Sequence, residues 1–247
     1  MEIAVRKIFK LKSSRIISST VKTLQLVIAS IKPTWLIDSF KCSSEQLVRL
    51  LTELQLQSIL CVLLVCDDLF IANRDGLISI IQARNISNVL VTDVSPKLVA
   101  PVVITETHKS YKLVIKHIEY INTQIMSYVS NSSVIDVFRL SNENDFPLEF
   151  TFVFGWLLGY PYLYFNSEHL DTQLNCLSKC PLKLFRVSSG GFVFLSFSIP
   201  LLVLEDYNKK VKDLLLQLYE RILCSVKNDC QSIEIHESIQ TLDLIAL

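Results

Sequence analysis

Glycine and proline are both scarce, at 5 and 7 of 247 residues. That excludes long flexible linkers and low-complexity segments. Neither charge is in excess, since 24 Lys and Arg face 24 Asp and Glu. A net charge of zero speaks against a nucleic-acid binder that works through a general basic field. No apolar run reaches the roughly 20 residues that a membrane-spanning helix needs. Phe150–Phe165 carries no charge but is cut by Pro161, and Phe192–Leu204 is shorter and contains Pro200. Both read as core segments, so no transmembrane segment is expected. Cys-x-x-Cys pairs are absent, and the seven cysteines (Cys42, Cys61, Cys66, Cys176, Cys180, Cys224, Cys230) are odd in number. They read as reduced thiols of an intracellular protein rather than a disulfide framework. No Gly-x-Ser-x-Gly, phosphate-loop or dinucleotide fingerprint occurs, and none of the four histidines lies in a His-Glu-x-x-His or local Cys–His signature. No cofactor is expected, and no activity announces itself.

What is present is apolar residues in quantity. They make up half of the chain, and the mean hydropathy is +0.40. A chain of this length buries a sizeable core. The first 37 residues stand apart, with seven basic residues (Arg6, Lys7, Lys10, Lys12, Arg15, Lys22, Lys32) against one acid, Glu2. That is the composition of a mitochondrial presequence and equally of an amphipathic helix with a basic outer face. The second reading is preferred, because apolar positions continue to Ile31 and run into Trp35–Phe40 without a cleavage-like break. Lys7, Lys10, Lys12 and Arg15 interrupt the first apolar stretch, which argues against a secretory signal. The cytoplasm is the expected compartment.

Apolar spacing then divides the chain. Val21, Leu24, Ile28 and Ile31 predict a helix over 14–31, ended by Lys32-Pro33. Trp35–Asp38 reads as a short buried strand. Ser43 and Gln46 form a capping box ahead of Leu47, Leu50, Leu51 and Leu54, which share one helical stripe. Ile59–Val65 and Val89–Thr92 are continuous apolar runs of strand length, expected side by side in one sheet. Asp67-Asp68 predicts a hairpin turn, with Leu69–Ala72 as its second arm, and Asn73–Gly76 reads as a further turn before a short helix at Leu77–Ala83. Tyr111, Val114, Ile115, Ile118, Ile121, Ile125 and Tyr128 mark a helix over about 107–130. Val134–Leu140 and Tyr162–Phe165 read as strands, Ser141–Asp145 as a polar loop, and Phe150–Leu158 as a buried helix. Ser188-Ser189-Gly190-Gly191 between Leu182–Val187 and Phe192–Phe197 is a hairpin signal. Val211 to Val226 carries helical spacing, and Ile233–Ile235 reads as a last edge strand. The fold class is α/β: a single domain with a mixed sheet, helices on both faces and an antiparallel hairpin in the C-terminal half. The loop at 141–146 is the one plausible division.

Five features invite a functional reading. Asp38, Asp67, Asp68 and Asp93 each end or nearly end an apolar strand. In parallel sheets ligands bind beyond the carboxyl ends of strands, and three converging carboxylates there would hold a divalent cation for hydrolysis. Aspartate also favours turns for its own sake. Gly155 and Gly159, four apart in an apolar helix, point to close helix packing. Gly159-Tyr160-Pro161 is a helix stop, with Gly159 free to take the left-handed cap. The aromatic residues around it (Trp156, Tyr160, Tyr162, Tyr164, Phe165) fit a core better than a pocket for a flat ligand. The Ser-Ser-Gly-Gly stretch is not followed by a helix, so it reads as a turn and not a phosphate cradle. Cys176 and Cys180, with His169 upstream, match no common zinc spacing. The favoured function is a non-catalytic interaction protein with a protein partner. The alternative is a metal-assisted hydrolase using Asp38, Asp67 or Asp68, and Asp93.

Three segments together carry a resemblance: Lys32–Asp38, Cys66-Asp67-Asp68-Leu69-Phe70, and Leu157-Leu158-Gly159-Tyr160-Pro161-Tyr162-Leu163-Tyr164. The chain resembles, over nearly its whole length, a family of uncharacterised animal proteins whose human member is named for an open reading frame on chromosome one. No activity is established for that family, so the resemblance implies no catalytic residue, cofactor or partner.

Overall fold

The computed structural model describes residues 1–131, 137–140, 147–168, 175–225 and 233–242. The chain runs through α1 (Glu2–Phe9), α2 (Ser14–Ile28), β1 (Thr34–Leu36), α3 (Ser44–Glu53), β2 (Leu60–Val65), β3 (Asp68–Asn73) and α4 (Arg74–Ala83). It continues with β4 (Leu90–Asp93), β5 (Val102–Val103), α5 (Tyr111–Asn131), β6 (Val137–Leu140), α6 (Phe150–Leu157) and β7 (Tyr162–Phe165). The last elements are β8 (Pro181–Ser189), β9 (Phe192–Pro200), α7 (Leu201–Ser225) and β10 (Ile233–Thr241). The protein is α/β, with mixed sheets and an antiparallel hairpin sheet in the C-terminal half.

Two compact units emerge, and the chain passes between them three times. The first comprises Met1–Ala83 and Tyr120–Phe146; the second comprises Arg84–Glu119 and Pro147–Leu247.

In the first unit a four-stranded sheet has the order β1-β3-β2-β6. Its pairs are antiparallel except β2–β6, which is parallel with Val62 opposite Val137. The continuous run of β2 is explained by burial of nearly every residue in it. The core joins Leu47, Leu50 and Leu51 of α3 to Leu24 and Val27 of α2, with Val5, Ile8 and Phe9 of α1 among them. The N-terminal basic segment is therefore built into the core through its apolar side, and the Phe9 ring meets that of Phe40 at a tilt, 4.8 Å between centroids. The capping box at Ser43 and Gln46 forms as the sequence predicts, and the Gln46 side chain also donates to the Ile8 carbonyl. Asn73–Gly76 is not a free turn. The Asn73 Oδ1 accepts the Gly76 N–H at 2.9 Å, so these residues start α4 directly from β3. The short polar side chain that favours turns caps helices for the same reason.

In the second unit one sheet has the order β5-β4-β7, and a second has the order β10-β8-β9. β4 and β7 are parallel, with Leu90 opposite Tyr162 and Asp93 opposite Phe165. The expectation of one sheet holding both buried runs is corrected here: β2 and β4 lie in different sheets, and there are three sheets among the described residues. An apolar run reports that both faces of a strand are covered, but it says nothing about which strand lies beside it. The second sheet is antiparallel throughout, and Ser189 faces Phe192 across a two-residue turn. Gly190 and Gly191 both take positive φ there, at 55° and 75°, which is what a primed hairpin turn requires. β10 is longer than the sequence suggests, with nine consecutive pairs to β8.

Helix α6 ends as the Gly-Tyr-Pro motif predicts. Leu158 is the C-cap, Gly159 has φ 75°, and β7 starts at Tyr162. Gly155 allows close approach of α6 to β7, since a Cβ there would come within 2.7 Å of Leu163 Cδ2. The polar loop at Ser141–Asp145, the start of the predicted strand at Val134, and Val226, His169 and Cys230 lie outside the described residues.

Candidate functional site

The four aspartates divide between the units. Asp38, Asp67 and Asp68 belong to the first and are exposed. Asp38 partly restores the Lys32 ammonium, which burial pushes down to about 8. Asp67 and Asp68 stand at the β2–β3 turn, where burial and then the Asp67 charge raise the Asp68 carboxyl. Asp93 belongs to the second unit and is fully buried. Among the described residues no three His, Cys, Asp or Glu stand close enough to hold a metal ion. The metal-assisted reading therefore gains no support from the geometry.

Asp93 instead organises a polar nest at the carboxyl ends of the parallel strands β4 and β7. Its Oδ1 accepts the Ser95 N–H at 3.0 Å and the Ser95 hydroxyl. With its one hydrogen committed to Asp93, the Ser95 Oγ accepts from Ser167, from the N–H and from the hydroxyl, both at 2.9 Å. Ser95 follows β4 and Ser167 follows β7, so this exchange ties the two strand ends together. The Asp93 Oδ2 has no hydrogen-bond partner among the described residues. It faces His108 Nε2 at 4.0 Å, beyond hydrogen-bond reach. The His108 Nδ1 accepts the Ser110 N–H at 3.2 Å, so the neutral ring carries its hydrogen on Nε2. Glu168, the next residue after Ser167, pairs with Lys97 through Oε1 at 3.2 Å, while its buried Oε2 has no hydrogen-bond partner among the described residues. The order of groups is serine, carboxylate, imidazole. A nucleophilic triad needs the imidazole in the middle, where it takes the hydroxyl proton, and this nest does not place it there.

A second buried polar group lies at the start of α6. Glu149 caps the helix, its carboxylate accepting the Phe152 N–H at 2.6 Å. Its own N–H donates to His117 Nε2 at 3.2 Å, and the His117 Nδ1–H donates to the Leu113 carbonyl at 2.9 Å. Burial pushes the Glu149 carboxyl up to about 7, against the pull of the Phe152 N–H. At the other end of α6 the buried Arg84 and the half-buried Arg221 meet carbonyls of its last turn and of the residues just beyond its cap. Arg84 Nη1 donates to Trp156 O at 2.6 Å and Nη2 to Tyr160 O, with the guanidinium 4.4 Å from the Trp156 ring centroid. Arg221 Nη2 donates to Gly159 O at 3.1 Å. These are helix-end caps with favourable charge for the dipole. Sequence reasoning had no access to them, because nothing near Arg84 or Arg221 in the chain names the carbonyls they reach.

Cys42, Cys61, Cys66, Cys176, Cys180 and Cys224 are unbonded, and burial pushes Cys61 up to about 12 and Cys176 up to about 11. A reactive thiol needs the opposite shift. A groove of about 580 Å³ follows the bend of α7 at Tyr207, lined by Lys209 and Lys210 but also by Asp206 and Asp213. Its mixed charge commits it to no ligand.

The second feature with a recognisable chemical capacity is β10. It closes the β10-β8-β9 sheet on one side and, among the described residues, pairs only with β8. Nine residues run without bulge, proline or glycine. None of them is buried, and Ile239 is 64% exposed. Natural edges are usually shortened, kinked or guarded by proline or charged side chains; β10 is neither short nor bulged and lacks proline, and its charges are the exposed Glu234 and Glu237.

Fold and site together define a mixed α/β protein with polar groups gathered at parallel strand ends and, among the described residues, a long sheet edge at β10. The chain belongs to the family described as Domain of unknown function (DUF4504), which matches residues 2–247. No curated protein and no solved structure matches it. Among the described residues no helix is long and apolar enough to cross a membrane.

Proposed function

We propose that this is a non-catalytic interaction protein that takes an extended segment of a protein partner as an added strand on β10. The observation that carries this is the uninterrupted nine-residue edge, whose outer N–H and C=O groups offer a ladder to a new strand. Exposed Glu234 and Glu237 on that strand, which meet His236 and Lys183 within the chain, favour a partner segment bearing lysine or arginine. The zero net charge supports a protein rather than a nucleic-acid partner. The odd number of cysteines, unbonded where described, and the placement of Val5, Ile8 and Phe9 in the core support an intracellular, cytoplasmic setting over a cleaved presequence. An animal origin rests on the Lys32–Asp38, Cys66–Phe70 and Leu157–Tyr164 segments.

The test uses two proline variants. Adjacent residues of a strand aim their N–H groups to opposite sides, so of Ser238→Pro and Ile239→Pro one removes an outward N–H and the other breaks a rung to β8. The outward variant is recognised by an unchanged melting temperature. A display library of random nine-residue peptides is selected on the wild-type protein. The expected result is enriched peptides with lysine or arginine that bind wild type and lose at least tenfold in affinity on the outward variant. Enrichment no better than on a control protein, or binding that proline leaves unchanged, refutes strand addition.

A further inference from the structure

Charge is divided unevenly along the chain. The whole protein is neutral, yet residues 1–37 hold seven basic residues and one acid, a balance of +6, so the remainder carries −6. Six of the seven (Arg6, Lys7, Lys10, Lys12, Arg15 and Lys22) are exposed, while burial lowers the Lys32 ammonium to about 8.

The fold explains why these charges face outward. Ala4, Val5, Ile8 and Phe9 turn one side of α1 into the core, and Ile17, Val21, Leu24 and Val27 turn one side of α2 into the same core. The helical period then leaves Ile3, Arg6, Lys7 and Lys10 on the outer side of α1, and Arg15, Ser19 and Lys22 on the outer side of α2. Lys12 stands in the link between the two helices. The acids close by are Glu2 at the start of α1 and Glu45 and Glu53 of α3, a helix that also presents Arg49. Glu53 meets Lys7 at 3.6 Å.

A cationic face of this kind can meet a nucleic acid or an anionic lipid surface. Two observations favour lipid. Ile3 is 82% exposed and shares its helix face with Arg6, Lys7 and Lys10. An isoleucine gains by entering the acyl boundary of a bilayer and gains nothing from a phosphate backbone. No exposed aromatic stands among the cations to stack on a base, since Phe9 is buried. The apolar side of α1 is committed to the core, so neither helix sinks its whole apolar face into lipid. Attraction is chiefly electrostatic, and each Lys or Arg brought to an anionic bilayer raises affinity about fivefold.

We propose that the outer faces of α1 and α2 bind the surface of an anionic phospholipid bilayer, with Arg6, Lys10, Lys12 and Arg15 against the headgroups and Ile3 entering the acyl boundary. The site shares no residue with strand addition at β10.

The experiment is co-sedimentation of the full chain with vesicles at about 0.1 M and about 1 M salt. One set is phosphatidylcholine alone, and the other contains about one third phosphatidylserine. The expected result is binding to the phosphatidylserine vesicles at the lower salt, loss of at least tenfold in affinity at the higher salt, and no binding to phosphatidylcholine. Lys12→Glu with Arg15→Glu weakens binding at least tenfold. Both changes place acid at the start of α2, where the helix dipole favours it, so this variant folds. Lys209→Glu with Lys212→Glu makes the same change of net charge on exposed positions of α7 and leaves binding unaltered. Ile3→Ser weakens it about fivefold. Absence of binding to the phosphatidylserine vesicles overturns the proposal. Equal loss in the two charge variants does so too, because net charge and not this face would then be the cause. An Ile3→Ser variant that binds as wild type, or duplex DNA that binds more tightly than the vesicles at equal phosphate, gives the face to a nucleic acid instead. The outward proline on β10 leaves vesicle binding unchanged, so the two readings fail separately.

Discussion

Glu149 caps α6 from inside the protein, and burial keeps its carboxyl protonated up to about pH 7 against 4.5 for an ordinary glutamate. Between those values the folded chain holds a proton that the unfolded chain has released. The stabilisation is complete below 4.5 and is lost as the pH rises through 7, roughly 3 kcal/mol over the whole interval. Glu149→Gln, still able to accept the Phe152 N–H, is expected to flatten this slope in urea unfolding at pH 5 and pH 8; an equal loss in both proteins rules Glu149 out as its source. At the other end of the same helix, Gly159→Ala places a Cβ on a residue at φ 75°. It is expected to cost roughly 1 kcal/mol or more, read as a lower melting temperature. Arg84→Met removes two short bonds to the Trp156 and Tyr160 carbonyls and is expected to cost about 3 kcal/mol. Arg84→Lys should not restore it, because an ammonium lacks the two-pronged guanidinium geometry; full recovery in the lysine variant would make charge alone the cause. Gly159 was legible in the sequence because glycine two residues before proline has few other uses. The partners of Arg84 and Glu149 were not, since each depends on which remote backbone the fold brings to it.

The elements with strong periodicity were legible in proportion to that periodicity. α3 and α5 follow from apolar stripes at helical spacing, and the β8–β9 turn follows from paired glycines. The failures have physical causes. Asn73–Gly76 reads as a turn because asparagine binds nearby N–H groups in turns and at helix starts alike. The sequence marks β10 only at Ile233–Ile235 because the rest of the strand, Glu-Ser-Ile-Gln and neighbours, buries no face and leaves no alternation to read. Of the candidate site, Asp93 was visible as a strand end, whereas His108 and Ser167 reach it from separate loops and carry no local signal. One prediction belongs to α1, which the basic composition tended to hide. Phe9 is buried beside Phe40, so Phe9→Ala is expected to cost about 3–4 kcal/mol by chemical denaturation. A cost under 1 kcal/mol would mean that α1 is detachable, and the presequence reading would regain its footing.

At the scale of the whole molecule, the sequence conveyed the α/β class and left the arrangement of sheets open. Strand pairing across long separations has no local signature, and both parallel pairs here are of that kind. Val62 meets Val137, and Leu90 meets Tyr162. The two compact units are interleaved along the chain, so residues 1–83 lack a strand that their own sheet uses. A fragment of residues 1–83 is accordingly expected to show no cooperative unfolding transition by circular dichroism, and a sharp transition would contradict the role assigned to β6. The interleaving also sets a clock. Each parallel pair closes a loop of roughly seventy residues, at about 4 kcal/mol of chain entropy before any contact repays it. On a ribosome adding about 5–20 residues each second, β2 emerges several seconds before β6 exists. For that interval a six-residue apolar strand waits with one side open, and cellular yield will depend on what shields it.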